Sequence, residues 1–114
     1  MTHRSDSLLE VIKSISDRSG QEAAWFGSDP NLMDSPGEQI HALFGPENLD
    51  EVIVSREYPL APEIYDLLSR LARKIRAYQK EVGLDPDPRL TLDHPHWEKI
   101  RSVAREIIKK WPQL

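Results

Sequence analysis

The chain has 114 residues, 39% hydrophobic and 30% charged, with a net charge of −4 at pH 7. This length and composition exclude a wholly disordered chain and indicate one domain, residues 1–114, in which we expect residues 1–6 to be flexible. The chain has no cysteine, which excludes disulfides, thiol catalysis and cysteine-ligated metals. The first 20 residues lack the apolar centre of a signal peptide and no apolar run could span a bilayer, so we expect a cytoplasmic protein with no membrane contact.

The first helix is predicted to begin near Ser7, because four apolar residues then recur at helical spacing. They are Leu8, Val11, Ile12 and Ile15. We expect a break or kink near Gly20, since glycine weakens a helix interior. The helix could instead run on to Phe26 or restart at Ser19.

Residues 24–45 read largely as a helix end, a turn and a helix start. Ser35 can cap a helix, Pro36 suits its first position, and Glu38 stands three residues after the cap. A short helix is therefore predicted from about Pro36 to Phe44, followed by the stop signal Gly45-Pro46. Residues 48–58 favour another short helix. A strand over Val52–Val54 is less favoured because no second strand-like run exists to pair with it.

The C-terminal half contains the two clearest helices. Pro62 and Gly83 bound an apolar stripe that continues over five turns. A polar, proline-bearing connection follows, and the last helix starts at about His94–Pro95 and ends before Pro112. We therefore expect an all-α fold of four to six helices, with two long antiparallel C-terminal helices and shorter N-terminal helices packed across them.

The charges are distributed unevenly along the chain. Residues 1–60 carry a balance of −7, and residues 61–114 a balance of +3. No lysine or arginine occurs between Arg18 and Arg56, whereas that interval holds seven acids. Capping does not require so many carboxylates, so the excess indicates a surface for a basic partner. The candidate contact residues are Trp25, Asp29, Asp34, Glu38, Glu47, Asp50 and Glu51. Trp25 can equally be a core residue.

Metal and catalytic patterns are weak. Glu38-x-x-His41 has a di-iron spacing, but such sites need a second copy and two further glutamates. Asp93, His94 and His96 could be ligands, although helix-start chemistry explains them as well. No serine–histidine arrangement or phosphate-binding glycine loop is recognisable. We therefore predict no catalytic residues, no metal, no cofactor and no enzyme activity, with a metal-dependent enzyme as the second alternative.

Basic residues on the 61–83 helix provide the first alternative, a small helical regulator that binds nucleic acid. Arg70, Arg73, Lys74 and Lys80 lie on roughly one face away from the apolar stripe and could contact phosphates. A solvated face explains the same residues, and the acidic pI of about 5.5 argues against a nucleic-acid reader.

Three short segments between residues 24 and 53, "AWFG", "SPGEQIHALFG" and "ENLDEVI", resemble a pattern found in small bacterial proteins. Some proteins of this kind are immunity partners of toxins, such as those of contact-dependent inhibition systems. The resemblance carries no site residues across, because immunity proteins share no common fold. It agrees with the excess acidity, and together they predict a non-enzymatic, immunity-type inhibitor that covers a cationic toxin domain such as that of a nuclease.

Overall fold

The computed structural model describes residues 4–27 and 34–112, and it is all-helical within those ranges. The prediction of an all-α fold is confirmed. Six helices have seven or more residues, and a seventh is a single turn. They are α1 (Arg4–Ser16), α2 (Arg18–Phe26), α3 (Pro36–Phe44), α4 (Leu49–Ser55), α5 (Pro62–Val82), α6 (Pro88–Thr91) and α7 (Pro95–Lys110). None of the described helices is both long and apolar enough to cross a bilayer.

The two long helices, α5 and α7, pack antiparallel. The end of α7 meets the start of α5, where Lys110 Nζ lies 3.6 Å from Glu63 Oε2. The start of α7 meets the end of α5, where His96 Nδ1 lies 3.1 Å from Glu81 Oε2. On another side α7 packs against α1, while α3 packs on α1 and α4 packs on α5. The short N-terminal helices therefore cover the long pair, as the sequence predicts.

The core is formed by the apolar stripes of these helices. In α5 the stripe residues Ile64, Leu68, Leu71, Ile75 and Tyr78 are buried. In α7 the buried stripe contains Trp97, Ile100, Ala104 and Ile107, and Trp111 at the end of the helix is buried as well. Leu8, Ile12 and Ile15 of α1 join the same cluster. A single core spans the described parts of the chain.

The predicted break near Gly20 and start near Ser7 are both wrong by about one turn. The chain breaks at Asp17, which is extended and caps α2 by accepting a hydrogen bond from the Gly20 amide at 3.0 Å. Gly20 is therefore inside the first turn of α2. The first helix begins at Arg4 rather than Ser7. Aspartate is as good a cap as serine, and local sequence could not choose between Asp17 and Ser19.

The predicted start of α3 and the predicted helix within residues 48–58 are confirmed, whereas the expected flexibility of residues 1–6 stays a prediction, with residues 1–3 outside the described ranges. Ser35 Oγ accepts from the Glu38 amide at 3.0 Å, with Pro36 in the first turn of α3. The stretch 48–58 contains the helix α4, not a strand. The left-handed residues Asn48 (φ 49°) and Arg56 (φ 51°) flank α4. The connection between α5 and α7 contains α6, whose Thr91 is buried and bonded to Tyr78 Oη at 2.7 Å.

Replacing Asp17 should destabilise the protein, because the Gly20 amide loses its acceptor. We expect Asp17→Ala to lower the free energy of unfolding by about 1 kcal/mol. Ser19→Ala is the matched control, since Ser19 is exposed within α2 and alanine is the better helix former, so its effect should be close to zero. Urea denaturation measures both. The reverse order of effects would place the cap at Ser19.

Candidate functional site

The structure places five of the seven candidate contact residues at the two ends of α3. Asp34 and Glu38 lie at its start, close to the end of α2 that carries Trp25, because the Asp34 amide donates to the Ala24 carbonyl at 3.2 Å. Glu47, Asp50 and Glu51 follow its end and open α4. Asp29 lies outside the described residues. A nine-residue helix is about 13 Å long, so the acids form two groups rather than one continuous cluster.

The first group combines free carboxylate with apolar surface. Glu38 is exposed, and no lysine or arginine of the described chain forms an ion pair with it. Trp25 is half-buried, with its ring centroid 6.2 Å from that of the core residue Trp97. Trp25 is therefore largely a packing residue with an exposed edge. Phe26 beside it is 45% exposed.

The second group is partly neutralised. Glu47 accepts a hydrogen bond from Ser7 Oγ at 2.6 Å, which ties the α3–α4 connection to α1. Asp50 forms a salt bridge with Arg76 of α5. Within it, the hydrogen bond that Arg76 donates to the Asp50 carboxylate raises the pKa of Arg76. The Arg76 guanidinium also stacks 4.5 Å from the Phe44 ring centroid. Glu51 is exposed and, among the described residues, has no cationic partner.

Basic residues of α5 line a separate, shallow groove of about 390 Å³. Its lining consists of Arg70, Arg73, Lys74, Ala77 and His96. The two arginines and the lysine have no ion pair or side-chain hydrogen bond with the described chain. The predicted basic face of the 61–83 helix is thus present, and part of it is concave.

The candidate metal ligands are occupied with other contacts. Asp93 accepts from Arg18 Nη2 at 2.5 Å, and His94 Nδ1 caps α7 by accepting from the His96 amide at 3.1 Å. His96 pairs with Glu81. No group of three or more histidine, aspartate or glutamate side chains in residues 4–27 and 34–112 is placed to hold a metal ion. The Glu38-x-x-His41 pair is therefore not part of such a group, and both of its side chains are exposed on α3.

Sequence reasoning missed a buried arginine in the centre of the structure. Arg101 is 1% exposed. Its Nε donates to Gln21 Oε1 at 2.7 Å, its Nη2 to the Leu92 carbonyl at 2.7 Å, and its Nη1 to Glu98 Oε1 at 3.2 Å. Burial lowers the pKa of Arg101, and the hydrogen bond to Glu98 opposes that effect. Residues 97, 101 and 104 recur at helical spacing, so Arg101 lies within the apolar stripe of α7. This spacing is the feature of the sequence that could have predicted its burial.

Gln21 joins this arginine to the first two helices. Its amide nitrogen donates to the Ile15 carbonyl at 2.8 Å and to Gln39 Oε1 at 3.1 Å, while its oxygen also accepts from Trp97 Nε1 at 3.4 Å. The buried amide therefore links α1, α2, α3 and α7. This network is structural: it fixes the end of α1 and the start of α3, and so positions the acidic groups.

The chain matches no protein-family model, no curated protein and no solved structure. The resemblance of residues 24–53 to immunity-type proteins stays a prediction. A function is therefore inferred from the contacts and charges of the chain itself.

Removing the Gln21 amide should be costly because the buried Arg101 Nε loses its acceptor. We expect Gln21→Leu to lower the free energy of unfolding by about 3 kcal/mol. The matched control is Gln79→Leu, which removes an exposed hydrogen bond to the Leu84 carbonyl and should cost about 1 kcal/mol or less. In an Arg101→Met background the cost of Gln21→Leu should fall. Equal costs in both backgrounds would contradict the network.

Glu98 should make the stability of the protein depend on pH. The hydrogen bond from Arg105 lowers the pKa of Glu98, assisted by Arg101. A lowered folded-state pKa gives stability that is present above the unfolded value, about 4.3, and is lost as the pH falls through the folded value. Between about pH 6 and pH 3 the parent protein should lose up to about 1 kcal/mol more than Glu98→Gln, since Glu98 is half-exposed.

The control for this titration is Glu106→Gln on the same helix. Glu106 is exposed and has no ion pair with the described chain. Urea denaturation at the two pH values should give Glu106→Gln the same pH dependence as the parent protein. If Glu98→Gln also kept that dependence, the assignment to Glu98 would be wrong.

Proposed function

We propose that this chain is a non-enzymatic protein-binding module of the immunity type. It would act in the bacterial cytoplasm and neutralise a cationic toxin domain by occluding it with the α3–α4 surface. In this proposal the contacts with the toxin domain are provided by Trp25, Asp29, Asp34, Glu38, Glu47, Asp50 and Glu51.

The observation that carries the proposal is the pairing of unneutralised carboxylates with exposed apolar side chains. Val54 is 79% exposed and stands three residues after Glu51, so the two lie on the same face of α4. Phe26 provides exposed apolar surface near the other group, beside Trp25. Interfaces between proteins combine apolar or aromatic centres with a charged rim that steers association.

Arg76 limits how much charge the surface offers. Its salt bridge with Asp50 removes one carboxylate from the free set and, with the Phe44 ring beneath the guanidinium, joins α3, α4 and α5. Glu47 likewise has one oxygen bonded to Ser7. We therefore assign the main electrostatic contribution to Glu38 and Glu51, and a positioning contribution to Asp50 and Glu47.

Nucleic-acid binding through α5 is the second candidate function. It is favoured by a specific observation, the three cations of the groove that have no partner in the described chain. Phosphate binding should weaken steeply with salt, and reversing the charges of Arg70, Arg73 and Lys74 should abolish it. The two candidates use different surfaces, so their variants distinguish them.

Removing the free carboxylates should weaken a complex with a basic partner. The chain would be co-expressed with the products of the reading frames that flank its gene, and the affinity for any captured product measured by calorimetry. We expect Glu38→Gln with Glu51→Gln to weaken the complex roughly tenfold or more, through lost complementarity and slower association.

The matched control is Asp66→Asn with Glu106→Gln, which removes the same net charge from exposed positions of α5 and α7. It should change the affinity by less than about twofold. If both double variants weakened the complex equally, the change in affinity would be an effect of net charge alone. Absence of a basic product among the neighbours, or a complex insensitive to Glu38 and Glu51, would overturn the proposal.

A further inference from the structure

The groove on α5 has the geometry of a small anion site. Arg70, Arg73 and Lys74 stand at positions i, i+3 and i+4, so their side chains leave the helix as neighbours on one side. The first turn of α7 adds His96 at the edge, and Ala77 leaves the floor without a long side chain. The resulting depression of about 390 Å³ is compact and open.

Several cations of α5 and α7 are compensated by carboxylates, and those of the groove are not. Arg76 pairs with Asp50, Arg101 and Arg105 share Glu98, and Lys110 pairs with Glu63. The groove cations have no such partner among the described residues. Like charges at i and i+4 destabilise a helix unless an anion lies between them. An anion seated there would remove this repulsion.

Nearby carboxylates do not fill the groove. Glu81 is bonded to His96 Nδ1 at 3.1 Å, which fixes the imidazole at the edge of the depression. Asp66 lies one turn before Arg70 on the same helix and forms no ion pair within the described chain. The arginine side chains therefore keep their donors available for an external ligand.

We infer that Arg70, Arg73, Lys74 and His96 form a site for a phosphate-bearing ligand. Arginine matches a phosphate with two parallel hydrogen bonds, and the span of one helical turn fits one or two phosphate groups rather than a long track. The phosphate could belong to a nucleic-acid backbone or to a small phosphorylated molecule. The inference shares no residue with the acidic surface, and in the nucleic-acid case it rests on the second candidate function.

The test uses the full chain and two probes, inorganic pyrophosphate and a single-stranded DNA of about eight nucleotides. Amide chemical shifts followed by NMR at about 50 mM NaCl should move for residues 70–77 and 96 with at least one probe. The variant Arg70→Gln/Arg73→Gln/Lys74→Gln should weaken that binding roughly tenfold or more.

A matched triple variant keeps the result independent of net charge. Arg89→Gln/Lys99→Gln/Lys109→Gln removes the same charge from exposed positions without an ion pair in the described chain, and should change the affinity by less than about twofold. The circular dichroism of both variants should match that of the parent, because all six side chains lie outside the buried core.

The two probes distinguish the sources of the phosphate. Tighter binding of DNA, with a slope of log affinity against log salt of about −2, supports a nucleic-acid backbone. Comparable or tighter binding of pyrophosphate supports a small phosphorylated molecule. Equal losses in the two triple variants, shifts that map away from the groove, or no binding of either probe would overturn the site. None of these outcomes bears on the complex formed by Glu38 and Glu51.

Discussion

The burial of α7 between α1 and α5 is the interaction on which the rest of the structure depends. Trp97 is fully buried near the start of α7, with ring centroids 6.2 Å from Trp25 and 5.6 Å from Tyr78. A tryptophan buries about 150–250 Å² and is the largest single apolar contribution available to this core. Because α7 packs against both α5 and α1, its burial joins the C-terminal half of the described chain to the N-terminal helices.

A buried hydrogen-bond network completes this packing and positions α3. The three guanidinium nitrogens of Arg101 donate hydrogen bonds to Gln21, Leu92 and Glu98. Gln21 in turn donates a hydrogen bond to Gln39 of α3. Breaking such a buried network leaves a charge without partners, which is costly. The two ends of α3, where the acidic groups lie, are therefore held by the same packing that forms the core.

The packing of the helices brings some charged side chains into ion pairs and leaves others without a partner in the described chain. Cations on the flanks of α5 and α7 meet carboxylates from neighbouring elements, as Arg76 meets Asp50 and Lys110 meets Glu63. The outward side of α5 keeps its cations, and the outward sides of α3 and α4 keep Glu38 and Glu51. The uneven charge of the sequence thus appears as two separate acidic groups at the ends of α3 and a basic groove on α5. Each is a candidate for recognition by a partner of the complementary charge.

Local sequence predicted most of the fold but not the contacts that position the site. The stripes of α5 and α7, the Ser35 cap and the helical nature of α4 follow from spacing and turn chemistry, which act over a few residues. The break at Asp17 could not be chosen over Ser19, because both can cap. The hydrogen-bond partners of Arg101 and the Asp50–Arg76 bridge depend on residues distant in the chain. No local pattern encodes those distances.

Hydrogen–deuterium exchange of the chain, with and without a basic product of a flanking reading frame, shows which helices bind the partner. Binding through the acidic groups should slow exchange in residues 34–55, which include α3 and α4, and leave residues 70–77 of α5 unchanged. Slower exchange confined to residues 70–77, with α3 and α4 unaffected, would contradict the assignment of the protein-binding surface.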